Sequence, residues 1–185
     1  MKPMASRAFY LFCLSLFVST GWAHVVRFEV VRHEPVLGGQ PFGLAGSYER
    51  LVGKIHFAVD PSNPANGIIT DISRAPKNEQ GEVEFSADFY LLKPRQMERS
   101  NGAVLLEVGN RGGKSMVSFF SQGMGSRDPH TEAHFGDGLL LREGYTLLWV
   151  GWQFDPPRHP ELMRVYPPVA TDQGLPIKGL VRSDF

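Results

Sequence analysis

The chain has 185 residues with 19 Lys and Arg balanced by 19 Asp and Glu, so it carries no net charge at neutral pH. Charges of both signs are scattered, which excludes the electrostatic footprint of a nucleic-acid binder and any polybasic membrane patch. Its only cysteine, Cys13, lies close to the N-terminus.

Lys2 and Arg7 precede an apolar run from Ala8 to Val18, and small residues come after it at Gly21 and Ala23. This is the layout of a signal peptide over residues 1–23, cut ahead of His24. The run is shorter than the ~20 residues a bilayer span needs, although an uncleaved anchor is the alternative reading. Phe12 before Cys13 does not suit a lipoprotein signal. No later segment is apolar enough to span a membrane. The mature chain is expected to be periplasmic or secreted. Residues 24–185 leave 162 positions, enough for one domain, and no cysteine for an internal disulfide.

Val26, Phe28 and Val30 alternate with Arg27 and Glu29, as in a half-buried strand. Leu37–Pro41 reads as a turn, and Leu51–Val59 as a second strand with Ile55, Phe57 and Val59 on one face. Pro61–Asn66 is a turn cluster, succeeded by a short strand over Gly67–Thr70. Ser73–Gly81 is a polar loop, and Glu82–Leu92 a further strand. These segments predict an antiparallel meander.

After Asn101-Gly102 the pattern changes. Ala103–Val108 is almost wholly apolar and predicts a strand buried on both faces. Gly109–Lys114 is a glycine-rich loop. Ser115–Gln122 predicts a short helix capped by Ser115, and Asp137–Gly144 a helix stopped by its glycine. Tyr145–Trp152 is another buried strand. Strand, loop, helix and strand make a βαβ unit whose strands are parallel. Arg164–Val169 and the residues from Gly179 suggest further strands, and the chain reads as stopping within an element at Phe185.

The loop after Ala103–Val108 is the most informative stretch. Backbone N–H groups at the carboxyl end of a parallel strand can hold an anion, either a phosphate or an oxyanion. The Walker and dinucleotide glycine patterns are absent, so the phosphate version fits poorly. A tight turn without a ligand is the other reading. Trp152, Gln153 and Asp155, at the end of the second buried strand and just beyond it, are candidate pocket walls beside that loop, whereas Trp149 suits core packing.

His130, Glu132 and His134 fit neither H-E-x-x-H nor H-x-x-E-H, so no metal site is assigned. Gly113-Lys114-Ser115 lacks the second glycine of a nucleophile elbow, and no catalytic residue is assigned in this chain.

Four blocks, Tyr48–Lys54, Phe85–Pro94, Val108–Lys114 and Gly144–Gln153, together resemble the N-terminal part of a family of large exported bacterial α/β-hydrolase domain proteins. The resemblance runs from about Arg27 to Phe185. It implies a mixed α/β fold: an antiparallel β-meander leading into a βαβ unit, an incomplete α/β-hydrolase-type sheet. It further implies a serine hydrolase of esterase or acyl-hydrolase type, acting without a cofactor on a small ester-like substrate, with its elbow and triad downstream. In that fold the loop after the strand matching Ala103–Val108 donates to the oxyanion hole. Asn110, Arg111, Gly112 and Gly113 are the implied donors, and Gly109 stands where the resemblance leads us to expect proline. Residues 24–185 would then be an inactive N-terminal portion. A non-enzymatic secreted β-rich binding module is the alternative.

Overall fold

A computed structural model describes residues 23–179. But for one bordering residue each, the export signal over residues 1–23 and the strand start expected from Gly179 lie outside that range. The protein is mixed α/β, with a mostly antiparallel sheet and a few short helices.

The strands are β1 (His24–Pro35), β2 (Pro41–Phe42), β3 (Gly46–Val59), β4 (Val83–Pro94), β5 (Val104–Glu107), β6 (Thr146–Val150) and β7 (Val165–Tyr166). Their central order is β1-β3-β4-β6-β5, with β2 added to β3 and β7 to β4. All pairs are antiparallel except β5 with β6, which run parallel as the βαβ reading requires. A separate hairpin joins β8 (Thr171–Asp172) and β9 (Leu175–Pro176).

The crossover from β5 to β6 carries three short helices, α1 (Met116–Phe120), α2 (Glu132–Phe135) and α3 (Leu139–Arg142). The chain leaves α3 through Gly144 at φ +78°, the left-handed geometry that makes glycine a helix stop.

Strand register sorts the side chains. Tyr48, Arg50 and Val52 of β3 lie opposite Pro94, Leu92 and Tyr90 of β4, which continue into Leu147 and Trp149 of β6 and Leu105 and Glu107 of β5. This face meets the crossover helices. Tyr48, Tyr90, Leu92, Leu147 and Trp149 form one buried cluster with Met116, Val117, Phe135, Leu140 and Leu141. Tyr90 meets Trp149 edge-on at 5.5 Å, a geometry worth about 1 kcal/mol beyond simple burial.

The opposite face is apolar too, but the described residues cover only one end of it. The turn at Ile72–Arg74 packs Ile72 on Val59 and Val83, with Phe85 beside them. Elsewhere Phe28, Val30, Val104 and Leu106 are each close to half exposed or more.

Four expectations from the sequence are corrected. Ala103–Val108 is not buried on both faces, because among the described residues nothing covers the face that carries Val104 and Leu106. The half-buried alternation of β1 is likewise largely exposed, and irregular register at Val25/Arg27 and Val30/Arg32 interrupts it. Gly67–Thr70 is no strand: Pro64–Ile68 is a 3-10 turn started by Pro64, with the Asn63 side chain accepting from the Ala65 N–H. Ser115 does not cap α1 with its side chain. No helix among the described residues is long and apolar enough to cross a membrane.

Candidate functional site

The glycine loop folds as it does because its positions leave little room for a side chain. A Cβ on Gly109 would fall 2.2 Å from the Gly113 carbonyl oxygen. Arg111 and Gly112 turn the chain through the left-handed region at φ +49° and +76°. A Cβ on Gly112 would lie 2.3 Å from the Met163 carbonyl oxygen, and the Met163 N–H donates back to the Gly112 carbonyl at 3.1 Å. Gly112→Ala should therefore cost about 2–3 kcal/mol in urea unfolding, from backbone strain and overpacking together. Gly125→Ala, where a Cβ would meet nothing within 4 Å, is the control and should change stability by less than about 0.5 kcal/mol.

All seven residues singled out from the sequence come together. Trp152 donates its indole N–H to the Gly109 carbonyl at 2.7 Å. The Gln153 side-chain oxygen accepts from the Arg111 N–H at 2.5 Å. Asp155 pairs with the Arg111 guanidinium at 2.6 Å, which holds its carboxyl below the usual carboxylate range. Parallel strands deliver their carboxyl ends to one side, so the segment leaving β6 reaches the loop leaving β5. Trp152, Gln153 and Asp155 clasp the loop from outside, however, and line neither of the two clefts on the helix side of the sheet.

Two of the four implied oxyanion donors are already engaged. The Arg111 N–H is on Gln153, and the Gly113 N–H is on the Asn110 carbonyl at 3.1 Å. Neither can serve a ligand without giving up a bond, which narrows the candidates to Asn110 and Gly112.

Glu107 was not singled out from the sequence. Its alternation with Leu105 turns it toward the helices, opposite Trp149. There its carboxylate accepts from the Ser115 N–H at 3.1 Å, the Met116 N–H at 2.7 Å, the Ser115 hydroxyl and the Trp149 indole N–H. The chain's own carboxylate thus occupies the donors that begin α1. Ser115 donates its hydroxyl to a carboxylate and, among the described residues, meets no histidine.

The histidines do other work. The Nδ1 atom of buried His134 accepts from the backbone N–H groups of His130 and Thr131 at 3.1 and 3.2 Å, which puts any single ring proton on Nε2. This ring and the Thr131 side chain form a reciprocal cap on α2. No group of three metal-ligating side chains occurs among the described residues.

The two clefts adjoin each other and measure about 510 and 540 Å³, and Lys114 and Arg127 line both. Beside them, Asp128 binds Arg32 through two bonds of 2.8 and 2.9 Å, Arg50 at 3.0 Å and the Tyr90 hydroxyl at 3.1 Å. Glu34 holds the other arm of Arg50 at 2.6 Å. Burial works to raise the Asp128 carboxyl, but the Arg32 hydrogen bonds and both guanidinium charges outweigh it and keep it below the usual range. Lys114 donates to the Glu161 carbonyl at 2.8 Å and lies 5.0 Å over the Tyr90 ring. Burial pushes its ammonium down to about 8. Comparison with family models, with curated proteins and with solved structures returns no match.

Proposed function

We propose that this chain is the front part of an exported serine hydrolase of the α/β-hydrolase type, acting on a small ester-like substrate, and that residues 24–185 are inactive alone. The observation that carries the reading is the position of the glycine loop. It succeeds β5, an edge strand parallel to β6, and leads into α1. In α/β-hydrolases the loop after such a strand gives one oxyanion donor, and the residue after the nucleophile gives the other. The edge of β5, which pairs with no further strand among the described residues, and its exposed Val104 and Leu106 suit a further parallel strand that would bring the nucleophile to this side. One such donor is worth roughly 3–4 kcal/mol, but only once a nucleophile attacks.

A fluorophosphonate probe tests the proposal. Residues 24–185 should remain unlabelled, and the reading frame beyond the Phe185 codon should encode G-x-S-x-G whose serine takes the probe. Labelling at Ser115 overturns it. The second reading, a non-enzymatic secreted binding module, draws support from Glu107, which fills the donors at the start of α1 with the chain's own carboxylate. An immediate stop codon after Phe185 would favour that module.

A further inference from the structure

The smaller of the two clefts lies directly against the glycine loop, with Glu107, Asn110, Lys114, Ser115, Ser126 and Arg127 among the residues on its walls. Two cationic residues line both clefts under unlike conditions, and the Lys114 ammonium meets the Glu161 carbonyl and the Tyr90 ring on the side of the larger one. Lys114 is only 9% exposed, and among the described residues the Glu161 carbonyl is its one hydrogen-bond acceptor. An ammonium has three protons to place, and although the Tyr90 ring takes up part of its charge, burying it with one hydrogen-bond acceptor is costly unless something else supplies the rest. Arg127 is exposed and makes no hydrogen bond or ion pair among the described residues.

The nearby acids Asp128, Glu161 and Glu107 act on Lys114 by charge, but among the described residues none of their carboxylates accepts a hydrogen bond from its ammonium. The Glu107 carboxylate is taken up by Ser115, Met116 and Trp149, and Asp128 by Arg32, Arg50 and Tyr90. Glu161 acts on Lys114 from the adjoining cleft. Two positive residues, three serines, a side-chain amide and the already engaged Glu107 carboxylate therefore surround a space large enough for a small molecule. Buried cations with spare donors beside an open guanidinium are what recognition of a carboxylate or phosphate group requires.

We infer that the junction of the two clefts, which Lys114 and Arg127 both line, binds the anionic group of a small acidic molecule, held between the Lys114 ammonium and the Arg127 guanidinium. Combined with the proposed hydrolase reading, on which this second step rests, the ester-like substrate is itself an acid whose charged end seats here while its acyl carbon approaches the glycine loop. Anion binding does not require a nucleophile, so the two readings fail separately.

The test is calorimetric titration of the purified protein with succinate, with inorganic phosphate and with neutral succinamide. Succinate or phosphate should bind saturably and succinamide should not; the tighter of the two anions identifies the group recognised. Arg127→Met, at an exposed position, and Lys114→Met, of similar length, should each weaken binding about tenfold or more. A thermal melt of each variant establishes that it is folded. Folded variants that bind as the wild type does, equal binding of succinamide, or no saturable binding of either anion would overturn the anion site. Loss of fluorophosphonate labelling in the extended protein would overturn only the hydrolase reading.

Discussion

Asp128→Asn should destabilise the protein by about 3 kcal/mol in urea unfolding, the low end of what removing one partner of a buried ion pair costs. Arg50 is 7% exposed, and Asp128 is its partner alongside Glu34 and the Pro129 carbonyl. Asparagine keeps the shape but withdraws the charge, leaving a buried guanidinium short of an anion. Arg32 is more open to solvent, with 38% of its side chain exposed, so its share of the loss is screened and small. The pH dependence has a definite sign. The Asp128 carboxyl is held below its ordinary range in the folded protein, and in the unfolded chain it titrates near about 3.9. Its stabilisation is therefore complete above that value and lost as pH falls through the folded one. The gap between wild type and Asp128→Asn should stay constant from about pH 5 to 8 and narrow only below about pH 4. A gap that closed near neutrality would show that the carboxylate is not the group responsible. Because Asp128 ties the segment behind Arg127 to β1 and β3, amide exchange in the variant should rise there before it rises in the strands.

The contrast between this network and the glycine loop shows what a single sequence discloses. The strands β3, β4 and β6 were legible because their side chains obey local rules: alternation at Ile55, Phe57 and Val59, and a compact apolar run before Trp149. The proximity of Gly109–Gly113 to Trp152–Asp155 was legible for a topological reason, since two parallel strands bring them to the same side, but the hydrogen bonds by which the second segment clasps the first were not. No local rule encodes Arg32 meeting Asp128, 96 positions away; that pairing exists only once β1 lies beside β3 and the crossover returns over the sheet. The apolar run at Val104–Leu106 misled in an informative way. Hydrophobicity declares that a surface favours burial, not that something within the described residues buries it, and here every second side chain faces an open sheet surface. At Gly67–Thr70 the isoleucines suggested a strand, but Asn63 and Pro64 had already begun a 3-10 turn that leaves Ile68 88% exposed.

Glu107→Ala should cost about 3 kcal/mol, because it orphans several donors at once and each buried unsatisfied donor costs about 1–3 kcal/mol. The Trp149 indole N–H is the decisive one. Trp149 is 0% exposed, so water cannot replace the lost carboxylate without opening the core between β6 and α1. The Met116 N–H, 2.7 Å from the carboxylate, is part-buried as well, whereas the Ser115 groups are exposed and can turn to solvent. This ordering predicts a graded series. Ser115→Ala removes one exposed partner and should lose about 1 kcal/mol or less. Glu107→Gln keeps one acceptor oxygen but turns an NH₂ group toward other donors, and should lose about 1–2 kcal/mol. Alanine, which keeps no acceptor, should lose the most. Urea unfolding monitored by tryptophan fluorescence reads all three variants. If alanine and glutamine cost the same, the carboxylate is not satisfying Trp149, and Glu107 matters by charge alone. If Ser115→Ala proves the most damaging, the serine is the anchor of the loop, and the assignment of Glu107 as the group that organises the start of α1 fails with it.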